Sequence, residues 1–452
     1  MNNDLKKFLL IFGDLATMYF SLFLTLLLRY REIPNEELWQ IHLWPFTAIF
    51  FFWLVIFYVC ELYALHTAVN NSRLWGNIFR GFIASSLVSV LFFYFLPLAK
   101  ITPKINLAIF IGVFLFIFSF WRHIFNWLAA SYLPRNNVAI IGRNRLVDEL
   151  LSEFRNKPHL GLAIPFIIDE IATEKETQGT PIFSNLNDLP ELIKKKNVSQ
   201  VILAQNPDSE KLRTLLFECL PLKITFTSLV EFYENVTGKV PIETIGKMWF
   251  LENLSEGNKA AFDSLKRFFD TALALVILML TLPFWPIIAL IIKLESKGPI
   301  LFKQTRAGQN GIDFKILKFR TMRTENNDSS PTKDGDKRIT GFGNFMRKTR
   351  IDELPQMINI IKGEMSFVGP RPERPELIIE LEKQIPFYRE RMLVKPGITG
   401  VDQTSGEYHS PSYEDTMKKL QYDLFYIKNR SLYLDIAVLL KTIRTVISKG
   451  GK

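Results

Sequence analysis

Three features of the sequence predict a membrane-embedded α/β protein built in three parts. Four apolar runs fill its first third, short strands alternate with helices from Asn137 onward, and a fifth apolar run, broken by prolines, opens a stretch dense in glycine and charge. At 452 residues the chain has room for two or three domains, and its 48% hydrophobic and 13% aromatic content exceeds ordinary soluble usage. The expected division is a four-helix transmembrane bundle over residues 1–134 and a doubly wound α/β domain over 135–236. A linker or short hairpin over 237–259 then leads to a C-terminal domain over 260–452, with a re-entrant membrane helix over 266–293.

The first four apolar runs cover residues 8–28, 44–63, 78–98 and 105–128. Each approaches the roughly 20 residues that a helix needs to cross hydrocarbon. The first is too long for a cleavable signal and no small-residue cleavage site follows it, so it is expected to stay as a helix. Lys6, Lys7, Arg73, Arg80, Arg122, Arg135, Arg143 and Arg145 outweigh Arg29, Arg31, Lys100 and Lys104 on the other side. That thin margin favours both ends inside. The formal charge of +10 must crowd into the parts outside the membrane, which calls for anionic lipid, a diphosphate or nucleic acid as partner. Nucleic acid fits poorly, because no zinc-finger spacing, basic zipper or aromatic RNA-binding strand is present. Cys60 and Cys219 lie far apart and imply neither a disulfide framework nor a metal knuckle, which is consistent with a cytoplasmic soluble portion.

From Asn137 the pattern gives strands at residues 138–141, 164–168, 198–204 and 224–229, with helices at 146–154, 189–195 and 210–219. Alternation of this kind predicts a Rossmann-like parallel sheet. A dinucleotide fingerprint wants three glycines after the first strand, and Gly142-Arg143-Asn144-Arg145-Leu146 supplies one. A structural or regulatory role is therefore favoured over a bound dinucleotide.

The fifth apolar run, residues 268–292, is long enough to span, yet Pro283 and Pro286 interrupt it. Lys266 and Arg267 precede it, and Lys293, Lys297, Lys303 and Arg306 follow. Two basic ends that both prefer the cytoplasmic surface require the helix to turn back inside the membrane; an ordinary kinked span would put the soluble parts on opposite faces.

Residues suited to chemistry concentrate between Gly298 and Gly400. Gly308 and Gly311 lie near Arg306, and Lys318-Phe319-Arg320-Thr321-Met322 closes the block. Glycine-enabled amides beside cations suit phosphate oxygens. The polar stretch 324–337 is expected to be mobile. Arg350-Ile351-Asp352-Glu353-Leu354-Pro355-Gln356 then begins a short helix with Asp352 suited to its cap and Gly363 to its stop. An isolated Asp-Glu pair usually only complements a helix dipole. Here Arg347 and Arg350 stand beside it, so Asp352 should stay ionised where phosphates bind and could attack phosphorus, while Glu353 could hold magnesium. Gly369-Pro370-Arg371-Pro372 stiffens the backbone around an arginine suited to bidentate phosphate recognition. Pro396-Gly397-Ile398-Thr399-Gly400 by itself is only a turn.

With these motifs in order, the chain resembles the large monotopic polyprenyl-phosphate phosphoglycosyl transferases, the bacterial sugar transferases of exopolysaccharide and O-antigen initiation. The resemblance covers nearly the whole chain and is most specific from Lys266 onward, where Lys266-Arg267-Phe268-Phe269-Asp270 matches the entry motif of the family's membrane helix and Pro283 to Pro286 its broken hairpin. It implies a UDP-sugar donor, an undecaprenyl phosphate acceptor, Mg2+ held by Glu353, Asp352 as nucleophile and a covalent phosphosugar intermediate. Arg306, Lys318, Arg320, Arg347, Arg371 and Gln356 become the expected substrate and phosphate contacts. The resemblance places the enzyme in the bacterial inner membrane with its soluble domains on the cytoplasmic side, and leaves the N-terminal half to dimerisation as a homodimer, stability or regulation. Two departures stand out: Val401-Asp402-Gln403 replaces a tryptophan-containing stretch, and Arg350 takes a place where serine is common.

Overall fold

A computed structural model describes residues 3–60, 62–63, 72–95, 103–132, 136–156, 162–204, 210–254, 259–323, 336, 338–405 and 412–447. The polar stretch 324–337, apart from Asp336, lies outside the described residues, as do Lys100, Arg135 and the side chains of Lys6, Lys7, Arg73 and Lys104. The chain divides into two compact units, Met1–Phe232 and Tyr233–Lys452.

The first unit begins with four long helices, α1 (Asn3–Tyr30), α2 (Glu36–Val59), α3 (Ser72–Phe95) and α4 (Pro103–Tyr132). All four are long and apolar enough to cross a membrane. α1 packs along α4 and α2 along α3. Aromatic rings fill the shared interior: Phe46, Phe50, Trp53, Phe57, Phe82, Phe110, Phe114 and Phe118 are all buried. Phe12, Phe51, Phe79 and Phe116 point outward instead, the arrangement that lipid favours. One ion pair lies inside this apolar assembly, with Arg122 Nη2 2.5 Å from Asp14 Oδ2. The Trp121 indole donates to the other carboxylate oxygen at 3.1 Å, and Arg122 Nη1 donates to the Leu62 carbonyl at 2.6 Å.

After these helices come β1 (Asn136–Ile141), α5 (Arg145–Asn156), β2 (Leu162–Ala163), β3 (Ile167–Ile168), β4 (Glu176–Thr177), β5 (Thr180–Phe183), α6 (Leu189–Lys195), β6 (Val198–Leu203), α7 (Glu210–Cys219) and β7 (Thr225–Ser228). Strand order is β4-β5-β3-β1-β6-β7, with β2 also beside β1. The expected parallel pairing runs from β5 through β7, and among the described residues only the β4–β5 edge of this sheet is antiparallel. Gln178 and Gly179, both at positive φ, make the two-residue turn of that edge hairpin. The hairpin escapes a reading that looks for long apolar runs. Helix α8 (Leu229–Thr237) contains the boundary between the units.

In the second unit, α9 (Lys247–Asn253) precedes α10 (Ala260–Thr281), a 3-10 turn at Leu282–Phe284 and α11 (Trp285–Glu295). Both arms of this broken helix rest on the unit. Arg267 donates to the Ile360 and Ile361 carbonyls, Lys266 Nζ lies 2.5 Å from Asp435, and Asp270 accepts from the Phe367 amide at 3.4 Å. On the other arm Ile288 and Ile292 pack with Phe319 and Met346, and Trp285 meets the Phe319 ring edge-on at 5.2 Å. Pro283 lies in the turn and Pro286 in the first turn of α11, where a missing N–H costs nothing.

Strands β8 (Leu301–Ala307) and β9 (Asp313–Phe319) form an antiparallel hairpin, followed by α12 (Gly341–Thr349), α13 (Gln356–Lys362) and β10 (Ser366–Val368). Then come α14 (Pro375–Gln384), β11 (Gly397–Thr399), α15 (Tyr413–Asn429) and α16 (Leu432–Ile447). β10 and β11 pair in parallel, and Gly369 and Gly397 face each other so closely that a Cβ on Gly397 would stand 2.2 Å from the Gly369 nitrogen. The Pro396 to Gly400 motif thus does more than turn the chain: it is the strand against which the Gly369 to Pro372 motif is laid.

Much of the stretch expected to be a linker packs as core. Val240, Ile242 and Leu254 are buried with Met357, Ile360, Leu420 and Leu424. The Val240 amide donates to the Gln421 carbonyl at 3.1 Å, Lys428 pairs with Glu234 at 2.6 Å, and the Phe250 and Phe387 rings lie 4.3 Å apart. The physical reason lies in the segment's own apolar side chains, which have a hydrophobic surface to cover.

Candidate active site

Asp352 and Glu353 occupy a 3-10 turn, Ile351–Glu353, between α12 and α13. Thr340 starts α12 by accepting the Gly343 amide at 3.0 Å, and Arg350, at φ 59, ends it in the left-handed region. This reversal turns the dyad into the body of the unit, where each residue is only 8% exposed. The cap expected at Asp352 is absent, since α13 starts later, with Pro355 at its N-cap. The reason is that the dyad already lies in the 3-10 turn that follows the left-handed Arg350, so α-helical bonding begins only past Pro355. Gly363 does end α13, at φ 86.

The two carboxylates are not equivalent. Lys318 Nζ, projecting from β9, donates to Glu353 Oε1 at 2.7 Å, and Arg350 Nη1 stands 3.8 Å from the same oxygen. Asp352 Oδ1 is buried and makes no hydrogen bond among the described residues. Burial pushes the Asp352 carboxyl above its ordinary range and the neighbouring Glu353 charge adds to this, while Lys318, Arg350 and Arg347 oppose it. The flanking cations alone would have lowered it; desolvation prevails. Burial works in the same direction on Glu353, but there Lys318, Arg371 and Arg350 more than offset it and its pKa falls.

The other expected contacts divide into two sets. Lys318, Arg347, Arg350 and Arg371 each act electrostatically on one or both dyad carboxylates. Arg347 Nε is tied to Thr321 Oγ1 at 2.9 Å. Gln356, one turn beyond the dyad, is 2% exposed and opens α13. Two arginines also hold backbone groups. Arg320 Nη2 donates to the Ser296 carbonyl at 2.6 Å and to Ser296 Oγ at 3.0 Å, closing the end of α11. Arg306 Nη1 donates to the Pro372 carbonyl at 3.0 Å and its Nη2 to Gln304 at 2.7 Å. Lys266, Arg267 and Asp270 anchor α10 through the partners given above.

Sequence reasoning missed Asn359. It is fully buried, its Nδ2 donates to the Lys315 carbonyl at 2.8 Å and to Glu364 at 2.6 Å, and its Oδ1 accepts from the Leu317 amide at 3.1 Å. It therefore staples the strand that carries Lys318 to the helix that follows the dyad. A lone amide within Met357-Ile358-Asn359-Ile360-Ile361 was the available signal. Arg391, Tyr388 and Asp423, a buried cluster beyond the Pro-Arg-Pro run, were missed as well.

Residues 261–449 match the family model described as bacterial sugar transferase, and residues 59–226 match one described as a CoA-binding domain. The chain is 33% identical over 330 residues to a UDP-glucose:undecaprenyl-phosphate glucose-1-phosphate transferase of Escherichia coli, covering 70% of this chain and 69% of that protein. An enzyme of the same description from Xanthomonas campestris is 31% identical over 73% of this chain and 70% of its own length. A UDP-N-acetylgalactosamine-undecaprenyl-phosphate N-acetylgalactosaminephosphotransferase of Aeromonas hydrophila is 39% identical over 52% of this chain, which spans 55% of that relative.

Proposed function

Because the chain belongs to the bacterial sugar transferase family, as a polyprenyl-phosphate phosphoglycosyl transferase, we propose that it moves a sugar 1-phosphate from a UDP-sugar to undecaprenyl phosphate with release of UMP. In this reading an oxygen of the Asp352 carboxylate attacks the phosphorus that bears the sugar. The bond from that phosphorus to the oxygen of the UMP moiety breaks, and UMP leaves with the electron pair. An oxygen of undecaprenyl phosphate then attacks the same phosphorus and frees Asp352. The observation that carries the reading is the asymmetry of the dyad: Lys318 occupies Glu353, whereas Asp352 keeps a buried oxygen without a partner.

Magnesium fits the same pair. Among the described residues no three His, Cys, Asp or Glu side chains gather into a closed cage. Magnesium usually takes one or two carboxylates and completes its shell with substrate phosphates and water. Glu353 would hold it beside the free Asp352 oxygen, and the bound ion would offset diphosphate charge. Lys318, Arg350 and Arg371 supply fixed positive charge around the transferred phosphoryl group, which lowers the cost of bringing a dianion to two carboxylates.

The broken helix α10–α11 is read as re-entrant, entering and leaving on the cytoplasmic side of the inner membrane. Support comes from its two arms, which both rest on the catalytic unit, and from exposed Lys293, Lys297 and Lys303, which suit anionic lipid. This would hold the dyad at the headgroup plane, where the acceptor presents its phosphate. A product of this kind initiates repeat units of exopolysaccharide, capsule or O-antigen. Purified protein given donor without acceptor should gain the mass of one sugar phosphate and release UMP across a panel of UDP-sugars, and Asp352→Asn should do neither. A mass gain in Asp352→Asn would overturn the nucleophile assignment.

A further inference from the structure

Four consecutive carbonyls in Pro370-Arg371-Pro372-Glu373 are each held by a different donor. The Gly397 amide reaches Pro370 O at 2.9 Å, Arg391 Nη2 reaches Arg371 O at 3.1 Å, Arg306 Nη1 reaches Pro372 O at 3.0 Å, and the Ala307 amide reaches Glu373 O at 3.0 Å. The two prolines remove two N–H groups and lock φ, so this run has almost no freedom left. The Arg371 side chain, in contrast, is exposed, and its charge reaches Glu353. A rigid platform thus carries a free guanidinium toward the dyad.

Among the four donors Arg391 is the one whose presence most needs a reason. It is buried, its Nη2 lies 2.7 Å from Asp423 Oδ2, its Nη1 donates to Tyr388 Oη at 2.5 Å, and its guanidinium lies 5.1 Å from the Tyr388 ring centroid. Buried ion pairs contribute little net stability against an apolar replacement, so stability alone does not account for one here. A planar fork, however, holds Asp423, Tyr388 and a carbonyl in one fixed geometry, whereas the three donors of an ammonium rotate about a flexible stem. Phe387, at φ 59 and with its ring 4.3 Å from that of Phe250, starts the 3-10 segment Tyr388–Leu393 that presents Arg391.

We infer that Arg391, fixed by Asp423 and Tyr388, is a positioning residue that holds the Arg371 backbone so that the Arg371 guanidinium meets the phosphoryl group being transferred. The inference rests on the reading of the dyad given above. Arg391 touches no substrate and acts only through Arg371. Arg306 shares the clamp at the next carbonyl, which gives it a part in phosphate recognition without a phosphate contact.

The test is a double-mutant cycle on UMP release by the full-length protein with its best donor. Arg391→Lys keeps a charge opposite Asp423 but loses the fork, and kcat/KM should fall about 10- to 100-fold, the range expected when a catalytic contact shifts by about 1 Å. In an Arg371→Ala background the same substitution should cause little further loss, because the group that it positions is gone. Tyr388→Phe removes one acceptor and keeps the ion pair; it should cause a smaller loss that also vanishes with Arg371→Ala, and it carries the test if Arg391→Lys does not fold. Additive losses, or wild-type rates in either variant, would overturn the clamp while leaving the dyad assignment standing. Absence of UMP release from the wild type with every donor would overturn the reading of the dyad and the inference together.

Discussion

Lys318 donates to Glu353 over 2.7 Å, from a strand to a turn 35 residues further along the chain, and this contact makes unlike groups of two adjacent carboxylates. Replacing Lys318 by Met should raise the pKa of both, since Lys318 lowers each. Loss of a preorganised cation beside the transferred phosphoryl group typically costs about 10²- to 10³-fold in rate, so UMP release should drop by about two orders of magnitude. Near-normal turnover of Lys318→Met would remove Lys318 from the site.

The pH profile should carry the Asp352 signature. Its carboxyl is raised by burial and by Glu353, and the attack requires the ionised form. Activity should therefore be present above the raised pKa and be lost as pH falls through it, at a higher pH than an ordinary aspartate would give. Glu353→Gln removes the repulsion and should move that limb to lower pH in whatever activity remains. Rates of adduct formation against pH, measured by intact mass without acceptor, would check both; an unmoved limb contradicts the coupling.

Gly397→Ala should prevent the pairing of β10 and β11. The new Cβ would stand 2.2 Å from the Gly369 nitrogen and 2.6 Å from the Thr399 carbonyl oxygen, and both are backbone atoms that cannot step aside. A destabilisation above about 3 kcal/mol, in the upper range for single substitutions, is expected. Thermal unfolding in detergent would report it, and an unchanged transition would show that the two glycines have more room than their geometry implies.

A chain starting at Tyr233 should keep the catalytic unit folded better than one starting at Gly257. The shorter one loses buried Val240, Ile242 and Leu254 and the Glu234 partner of Lys428. Each large apolar side chain is worth about 1.5–3 kcal/mol when fully buried, so the difference should be several kcal/mol. Equal melting temperatures for the two would mean that residues 240–254 contribute little.

Single cysteines at Ser264 and Lys297, with Cys60 and Cys219 replaced, test the re-entrant reading. Both positions are exposed, Ser264 near the start of α10 and Lys297 just past the end of α11. An impermeant thiol reagent should label neither in intact cells and both after lysis. Labelling of one alone from outside would make α10–α11 a span.

Strong periodicity and composition made much of this architecture legible in advance. The apolar runs, the strand–helix alternation and the position of the proline break all follow from local patterns, because hydrocarbon and a sheet core each impose a simple demand on residue type. The short β4–β5 hairpin left almost no apolar trace and was invisible. In the site, Asp352, Glu353 and Lys318 stood out as residue types, yet their unequal environments did not, since burial and the left-handed turn at Arg350 arise only when distant segments close on one another. Arg306 and Arg320 illustrate the limit: nothing in a glycine-rich stretch tells that a basic residue will hold a distant carbonyl. Asn359, Arg391 and Asp423 had no motif to mark them, because what they do depends on partners 20 to 44 residues away.

The Asp14–Arg122 pair ties the first membrane helix to the fourth across 108 residues of sequence. An ionisable side chain facing lipid alone is costly, and the carboxylate is made well before its arginine emerges from the ribosome. The order of synthesis therefore sets a waiting period in which α1 carries an unmatched carboxyl, and the arrival of α4 ends it. A product cut short before Arg122 would keep that carboxyl without its cation, at rest in hydrocarbon only once it is protonated.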